Sequence, residues 1–225
     1  MPSKSRKLVI IGAGELAEIA LEYFTHDSEY DVVGFSVEAA YLTQNEIHGL
    51  PVVAFEELET RFPVGSVDAI VAIPASQLNA LRTRLYLATK AKGYTIAKYV
   101  SSRAFVWHNA TVGENSFIFE DNTIQPFTEI GNNVVMWSGN HLGHRSVIED
   151  NCFVSSHVVI SGYCRIGDSS FLGVNATLND HIVIPPGCII ASGALVNKSP
   201  ANPGRVYAGS PAAEIPRLLA SKVKL

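Results

Sequence analysis

An aliphatic side chain or methionine recurs at every sixth residue over much of this sequence. The series runs without exception through Val100, Val106, Val112, Ile118, Ile124, Ile130, Met136, Leu142, Ile148, Val154, Ile160, Ile166, Leu172, Leu178, Ile184, Ile190 and Val196. An amphipathic α-helix repeats apolar residues three or four apart, and a half-buried strand alternates them. A sustained six-residue period is instead typical of a parallel β-helix, in which three short strands form each coil and each strand turns one aliphatic residue inward. We therefore predict an uninterrupted all-β helix of about five coils over residues 101–200.

Two flanking registers support this prediction. Residues two places before each aliphatic residue are mostly small or β-branched, as expected where the chain turns inside a narrow prism. Cys152, Cys164 and Cys188 all belong to this register, so we expect them to be small core residues rather than reactive thiols. Residues two places after the aliphatic residues are mostly polar, His144 among them, and are predicted to point outward.

The repeats resemble those of a known family. Glu129-Ile130-Gly131-Asn132 and Arg165-Ile166-Gly167-Asp168 are similar to the repeats of hexapeptide-repeat acyltransferases. The resemblance implies a left-handed β-helix, against the usual right-handed crossover preference. It also implies a homotrimer, in which neighbours cover the outward Val174 and a set of aromatic residues predicted to be exposed. These aromatic residues are Phe117, Phe119, Trp137 and Phe153.

The composition is that of an ordinary soluble protein. The 225 residues are 47% apolar and 17% charged, with a net charge of −4, which does not indicate a nucleic-acid partner. The apolar run Leu8–Ile11 is too short for a signal peptide, and no segment has the length of a membrane span. We therefore expect a cytoplasmic protein with neither a membrane nor a nucleic-acid partner.

Residues 1–100 predict a small Rossmann-like α/β domain. Strands are expected at 7–11, 31–35, 51–53 and 67–73, and helices after Gly14, at 55–61 and at about 77–92. The turn Gly12-x-Gly14-x-x-Ala17 lies between a strand and a helix, where glycines let the backbone approach a phosphate. Glu38 is the nearest candidate for the acidic residue that contacts ribose. With about 100 residues, this domain has room for a mononucleotide half only.

A two-domain layout of this kind resembles one branch of the family, the acetyltransferases that modify nucleotide-linked sugars or sialic acid for bacterial glycans. The resemblance implies that the N-terminal domain binds the nucleotide sugar through its first loop, here Gly14, Glu15 and Leu16. Phe35-Ser36 stands where the branch often has two aspartates. Val206–Ala212 is similar to the family's closing segment beside CoA. Residues 201–225 are predicted as a tail with a short helix, from about Arg217, that covers the end of the coil.

His144 is the candidate catalytic base. Because one coil has eighteen residues, Gly162 is expected directly beside it, and a base next to a glycine N–H suits acyl transfer. The resemblance places the catalytic histidine and the oxyanion glycine at these same positions. It also implies acetyl-CoA as co-substrate, with contacts at Val174 and Ser192. Arg145 replaces the family's acidic neighbour of the base, and Phe153 replaces a histidine that contacts CoA.

Several alternatives remain open. His141 follows an asparagine, as in O-acetylating relatives of the fold, and is the rival base, while His157 is expected to line the site. His141, His144 and His157 also suggest a second class of enzyme, a zinc-dependent carbonic anhydrase of the same fold, which binds its metal through three histidines. Its usual His-x4-His spacing is absent here. We predict an acetyl-CoA-dependent N- or O-acyltransferase of a sugar without a metal. A small-molecule O-acetyltransferase and a non-enzymatic sugar-nucleotide binder are the other candidates.

Overall fold

The structure is a computed structural model that describes residues 3–225. The chain forms two compact units. The α/β unit comprises Met1–Pro74, described from residue 3, and Arg82–Tyr99. The β-helix unit comprises Ala75–Leu81 and Val100–Leu225. The change of unit at Val100 coincides with the start of the six-residue period.

The α/β unit contains a five-stranded sheet in the order β3-β4-β2-β1-β5. Its strands are β1 (Arg6–Ile11), β2 (Tyr30–Val37), β3 (Glu46–Ile47), β4 (Leu50–Ala54) and β5 (Asp68–Val71). Neighbouring strands are parallel except for the short β3, which pairs antiparallel with β4. The helices are α1 (Glu15–His26), α2 (Leu58–Arg61) and α3 (Ala80–Ala91), with 3-10 turns at Ala39–Tyr41 and Phe55–Glu57. Strand β3 was not predicted, because two residues are too few to show a period.

Helix α3 begins three residues later than predicted. Gln77, Leu78 and Asn79 have φ angles of 54°, 50° and 67°, which a right-handed helix excludes. Leu78 packs against the Ile189 cluster of the β-helix unit, and Asn79 Nδ2 lies 3.5 Å from the carbonyl oxygen of Ser170. Tertiary contacts within the β-helix unit therefore override the helical pattern here.

The β-helix has three parallel sheets whose paired residues lie eighteen positions apart, as in Thr123↔His141↔Val159. The first face consists of β7 (Phe105–Val106), β10 (Thr123–Ile124), β13 (His141–Leu142), β16 (Val159–Ile160), β19 (Thr177–Leu178) and β22 (Leu195–Val196). The second face consists of β8 (Thr111–Val112), β11 (Glu129–Ile130), β14 (Val147–Ile148), β17 (Arg165–Ile166) and β20 (Val183–Ile184). The third face begins with β6 (Tyr99–Val100), β9 (Phe117–Ile118), β12 (Val135–Met136), β15 (Phe153–Val154), β18 (Phe171–Leu172) and β21 (Ile189–Ile190).

The predicted period of the core is confirmed. From Ile118 to Val196 every member of the aliphatic series is buried, whereas Val100, Val106 and Val112 in the first coil are partly buried. Each fully buried side chain of this size stabilises the fold by about 1.5–3 kcal/mol. The three cysteines are free and buried, as predicted. Burial raises the pKa of the Cys164 and Cys188 thiols above its usual value.

Small polar residues at the corners tie successive coils together. Ser146 Oγ donates to the carbonyl of Ser161 at 2.9 Å and accepts the N–H of Cys164 at 2.9 Å. Because a corner turns the backbone away from both flanking sheets, its N–H and C=O groups need such partners. This explains why serine, threonine and cysteine occupy the register before the inward aliphatic residues.

The predicted C-terminal helix from Arg217 is wrong. Residues of this segment form the hairpin of β23 (Arg205–Ala208) and β24 (Ala213–Leu219), which extends the third sheet beside β21. Pro216 lacks the N–H that a helix interior needs, but a proline is tolerated on an edge strand. Only the 3-10 turn Ala220–Lys222 is helical.

The predicted exposure of the third-face aromatic residues is also wrong. Phe117 and Phe119 are fully buried, Phe153 is 7% exposed, and Trp137 is half-buried with its ring 4.8 Å from that of Phe119. The period predicts which side chains point outward, but not what packs over them. The large apolar side chains that are exposed on the β-helix include Phe105, Trp107, Phe127, Val159, Tyr163, Val174 and Val183. Among residues 3–225, no helix is both long enough and apolar enough to cross a bilayer.

Candidate active site

His144 lies at the corner that joins the first face of the β-helix to the second. Pro126, His144, Gly162 and Asp180 occupy equivalent positions in four successive coils, and we call them the corner column. The period fixes this arrangement, because each member comes two residues after an inward aliphatic residue. The side chain of His144 is exposed, as predicted.

Gly162 lies against the imidazole of His144. A Cβ atom added at Gly162 would be 2.7 Å from Cε1 and 2.9 Å from Nε2 of His144. Any side chain at this position would therefore displace the ring. The structure thus brings together the two residues predicted to form the catalytic pair.

The N–H of Gly162 has a partner that the sequence did not predict. It donates to Oδ1 of Asp180, the next member of the corner column, at 2.8 Å. The N–H is therefore not free, in this conformation, to donate to an oxyanion. Its predicted role requires that the Asp180 carboxylate move away.

Gln125 is the polar partner of His144. Its Oε1 accepts the backbone N–H of His144 at 2.9 Å and lies 3.2 Å from Nδ1 of the ring. Gln125 could not be predicted from the sequence, because it precedes His144 by nineteen residues and many outward polar residues lie at similar spacings. Only the three-dimensional register singles it out.

The other neighbours of His144 are aromatic or contact other residues instead. The Tyr163 ring meets the His144 ring edge-on, with centroids 5.1 Å apart, and stacks on His181 at 4.8 Å. Arg145, which replaces the family's acidic residue, holds its guanidinium 4.5 Å above the Phe127 ring. His144 is thus bordered by a small aromatic surface.

His141 and His157 do not adjoin the corner column in the same way. His141 is half-buried on the first face, in strand β13, and its neighbour Asn140 uses Oδ1 to accept the N–H of Val158 at 2.7 Å. His157 lies at the corner between the third and first faces, with its ring over Gly139. Within residues 3–225, no group of three or more His, Cys, Asp or Glu side chains is placed to hold a metal ion.

The predicted CoA contacts differ in accessibility. Val174 is 42% exposed and Ser192 is exposed, one coil apart at the same corner, so both can meet a ligand. Phe153 stacks on Phe171, with centroids 5.5 Å apart, and is almost completely buried. The ring is engaged in packing, and the CoA contact at Phe153 stays a prediction.

The predicted phosphate turn of the α/β unit lies at the start of α1. Gly14 is the N-cap residue and supplies no side-chain cap, so the N-terminal N–H groups of the helix point towards any ligand there. Gly14 and Glu15 are exposed, but the Leu16 side chain is 5% exposed, so only its backbone could take part. Gly12, at a φ of +133°, donates its N–H to the carbonyl of Ser36 at 2.8 Å.

Two polar residues beside this turn have different surroundings. Glu38 forms a two-pronged ion pair with Arg84, both bonds at 2.8 Å, and the pair holds the pKa of Glu38 below its usual value. Glu38 is therefore engaged, not free to contact ribose. Ser36 is buried, and its Oγ has no hydrogen-bond partner within the described part of the chain.

The six-residue repeats of this chain are similar to those of a known class of proteins. Residues 127–162 match the family model described as bacterial transferase hexapeptide (six repeats). This segment contains His144 and Gly162 and begins two residues after Gln125. The resemblance to hexapeptide-repeat proteins predicted from the sequence is thereby confirmed.

Solved structures identify particular proteins with the same fold over both units. A variant of perosamine N-acetyltransferase from Caulobacter crescentus, in complex with CoA and GDP-perosamine, is 21% identical, with a TM-score of 0.83 over 93% of this chain and 96% of that one. The acetyltransferase domain of PglB from Neisseria gonorrhoeae is 23% identical, with a TM-score of 0.83 over 94% and 100%. WeeI from Acinetobacter baumannii is 19% identical, with a TM-score of 0.71 over 94% and 100%. No curated protein matches this chain. The predicted fold class, a Rossmann-like domain followed by a left-handed β-helix, is confirmed.

Proposed function

We propose that this protein is an acetyl-CoA-dependent acyltransferase that modifies an amine or hydroxyl of a nucleotide-linked sugar. The observation that carries the proposal is the exposed imidazole of His144, seated against Gly162 at a β-helix corner. The fold similarity supports it, since the perosamine enzyme was crystallised with CoA and GDP-perosamine and the PglB domain with acetyl coenzyme A. We assign the product to bacterial surface glycans, such as lipopolysaccharide.

In the proposed reaction, His144 is the general base. The acceptor amine or hydroxyl attacks the carbonyl carbon of the thioester as Nε2 of His144 removes its proton. The tetrahedral intermediate then collapses, the C–S bond breaks and CoA leaves as a thiolate that takes the proton from the imidazolium. His141 is the alternative base, but the close approach of a glycine favours His144.

The N–H of Gly162 is the proposed oxyanion donor. It would stabilise the charge that develops on the thioester oxygen, a role that backbone N–H groups often fill. Because Asp180 Oδ1 accepts this N–H at 2.8 Å, acetyl-CoA has to displace the carboxylate when it binds. Val174 and Ser192 are the proposed contacts for the rest of acetyl-CoA.

The α/β unit is the proposed binding domain for the nucleotide sugar. The start of α1 would bind a phosphate through the backbone of Gly14, Glu15 and Leu16, since a helix N-terminus favours negative charge, and Gly12 would let the turn approach the ligand closely. The buried, unpaired Oγ of Ser36 adds a polar group at the end of the neighbouring strand. A panel of nucleotide sugars would identify the nucleotide and the sugar that this unit binds.

We also propose a homotrimer that acts in the cytoplasm. The β-helix exposes apolar residues, such as Phe105, Phe127 and Val183, that neighbouring copies would cover. Three free cysteines fit a reducing compartment. Sedimentation that gives a stable monomer near the chain mass of 24.3 kDa would contradict the trimer.

The function is tested by measuring CoA release from acetyl-CoA with a panel of UDP- and GDP-linked amino sugars. We expect release with at least one acceptor, and a thermal shift with the same compound. Release with simple alcohols only would favour a small-molecule O-acetyltransferase. A thermal shift without release would favour a sugar-nucleotide binder, and zinc-dependent CO2 hydration would favour a carbonic anhydrase.

A further inference from the structure

The orientation of the Gln125 amide follows from its partners. One amide atom of Gln125 meets both the backbone N–H of His144, at 2.9 Å, and Nδ1 of the same residue, at 3.2 Å. A backbone N–H only donates, so the atom that faces it has to be the carbonyl oxygen. The alternative orientation would place an NH2 group against an N–H, and no hydrogen bond would form.

The same oxygen determines the protonation of the imidazole. A carbonyl oxygen only accepts, so Nδ1 of His144 has to carry the hydrogen. In the neutral ring, Nε2 then carries the lone pair. Nε2 lies on the side of Gly162, 2.9 Å from where a Cβ atom of that residue would be, and no described residue forms a hydrogen bond with it. The ring is thus held as a base whose lone pair is free.

We propose that Gln125 is a positioning residue that fixes His144 in the Nδ1–H tautomer, a role that this chain assigns to a neutral amide. The proposal rests on His144 being the base of the proposed function. It also explains how the site works with Arg145 in place of an acidic residue, since the orienting group comes from the preceding coil instead.

The charged and titratable groups around the ring do not offer an alternative partner. Asp180 is bonded to the N–H of Gly162, and Arg145 lies over Phe127. Tyr163 meets the imidazole through its ring, and His181 stacks on the far side of Tyr163. Within residues 3–225, Gln125 provides the hydrogen bonds to His144 that fix the ring.

A neutral partner has a consequence for the pH dependence of the reaction. A carboxylate stabilises an adjacent imidazolium more than an amide does. In Gln125→Glu, the two acceptor bonds are preserved, so kcat at high pH should be retained. The acid limb of the rate profile should move to higher pH, because the imidazolium persists to higher pH beside the new charge. Gln125→Ala should instead lower kcat about ten-fold or more, by less than the loss of the base itself.

Asn109→Ala is the matched control. Asn109 Oδ1 accepts the backbone N–H of Phe127 at 2.9 Å, at the same corner one coil earlier and without an imidazole. It therefore reproduces the loss of a side-chain bond to the corner backbone. We expect Asn109→Ala to leave kcat and the pH profile unchanged, because only Gln125 also contacts Nδ1.

The experiment has one readout that does not depend on turnover. In protein labelled with 15N-histidine, nitrogen NMR of His144, assigned by comparison with His144→Ala, should show a protonated Nδ1 in the wild type and a mixture of tautomers in Gln125→Ala.

Rates of Gln125→Ala, Gln125→Glu and Asn109→Ala are then measured between pH 5 and 9. A wild-type Nε2–H tautomer, an unshifted acid limb in Gln125→Glu, or equal rates for Gln125→Ala and Asn109→Ala would overturn the proposal. A wild type without transferase activity would refute the proposed function alone, because the NMR result still decides the role of Gln125.

Discussion

The two units differ in how a residue acquires its role. Within the coils of the β-helix a position has equivalents eighteen residues away, so Ile124, Leu142 and Ile160 share one kind of environment. The place of a polar residue is therefore known from the period, as for His144 between Pro126 and Gly162. In the α/β unit each position is unique. The proposed phosphate turn there includes a residue, Gly12, that the fold also needs.

The glycines illustrate this difference. At Gly12 a Cβ atom would lie 2.7 Å from the carbonyl oxygen of Ala72, and the φ of +133° is itself unfavourable for other residues. Replacing Gly12 would thus damage the fold and the proposed phosphate site together. At Gly162 the atom in the way belongs to the His144 side chain, so the site can be perturbed with little effect on the backbone. At the proposed site of the β-helix, stability and chemistry can thus be changed separately, whereas at Gly12 they cannot.

The largest expected effect concerns the proposed base. His144→Ala should lower kcat about a hundred- to ten-thousand-fold, the usual range for a general base. The side chain is exposed and fills no cavity, so the melting temperature should change little. His26→Ala, which removes an exposed histidine of the α/β unit, is the control and should keep full activity. If His144→Ala retains more than about a tenth of the wild-type rate, His141 is the next base to test.

Core substitutions test whether the two units are energetically separate. Ile148→Ala in the β-helix and Ile10→Ala in the α/β sheet both remove fully buried side chains and should each cost about 2–5 kcal/mol. Because a coil contacts mainly its neighbours, hydrogen exchange should accelerate in the unit that carries the substitution. Equal acceleration in both units would show that they unfold as one body, and the separation described above would fail.

Gly162→Ala sharpens the comparison at the site. The new Cβ would displace the imidazole from its place 2.7 Å away, and misplacing a catalytic group by about 1 Å costs roughly a hundred-fold in rate. Gly14→Ala is the counterpart in the α/β unit, because its Cβ would meet no atom within 4 Å and its φ of −105° suits alanine. We expect Gly162→Ala to lower kcat, and Gly14→Ala to raise KM for the nucleotide sugar instead. Loss of kcat in both variants would contradict the division of roles.

Asp180 gives a smaller effect of opposite sign. Asp180→Ala removes the carboxylate that competes for the N–H of Gly162 and should lower KM for acetyl-CoA about five-fold, equivalent to about 1 kcal/mol. Asp150→Ala is the control, since Asp150 Oδ1 accepts the N–H of Asn132 at 2.7 Å in the same manner. A fall in kcat in Asp180→Ala alone would mean that the carboxylate takes part in the reaction, and the oxyanion role of Gly162 would then be wrong.

Sequence predicted the β-helix closely because its signal is repeated many times. The inward series and the buried cysteines follow from the period alone, and so does the proximity of His144 to Gly162. The period does not reveal which residues pack over the outer side of each face. Phe117 and Phe119 were therefore predicted to be exposed, although both are fully buried.

For a related reason, the hydrogen-bond partners of the site residues could not be predicted from the sequence. Several outward polar residues of neighbouring coils stand close to His144 in the register, and the choice of Gln125 depends on rotamers and hydrogen-bond geometry. Asp180 could have been found, because it lies eighteen residues after Gly162, but its bond to the N–H could not. In the α/β unit, the start of α3 depends on how Leu78 and Asn79 pack in the β-helix unit, which no local pattern records.

The smallest expected effect lies in the α/β unit. The Glu38–Arg84 pair has two bonds of 2.8 Å, but the Arg84 side chain is 55% exposed, so Arg84→Gln should cost only about 0.5–1 kcal/mol at neutral pH. The pair lowers the pKa of Glu38, so its contribution is present above the ordinary glutamate pKa of about 4.3 and is lost as the pH falls through the lower, folded-state pKa. Urea unfolding of the wild type and Arg84→Gln should therefore differ at pH 7 and converge once the pH is below the folded-state pKa of Glu38. A difference that persists at low pH would mean that Arg84 acts through packing rather than through its charge.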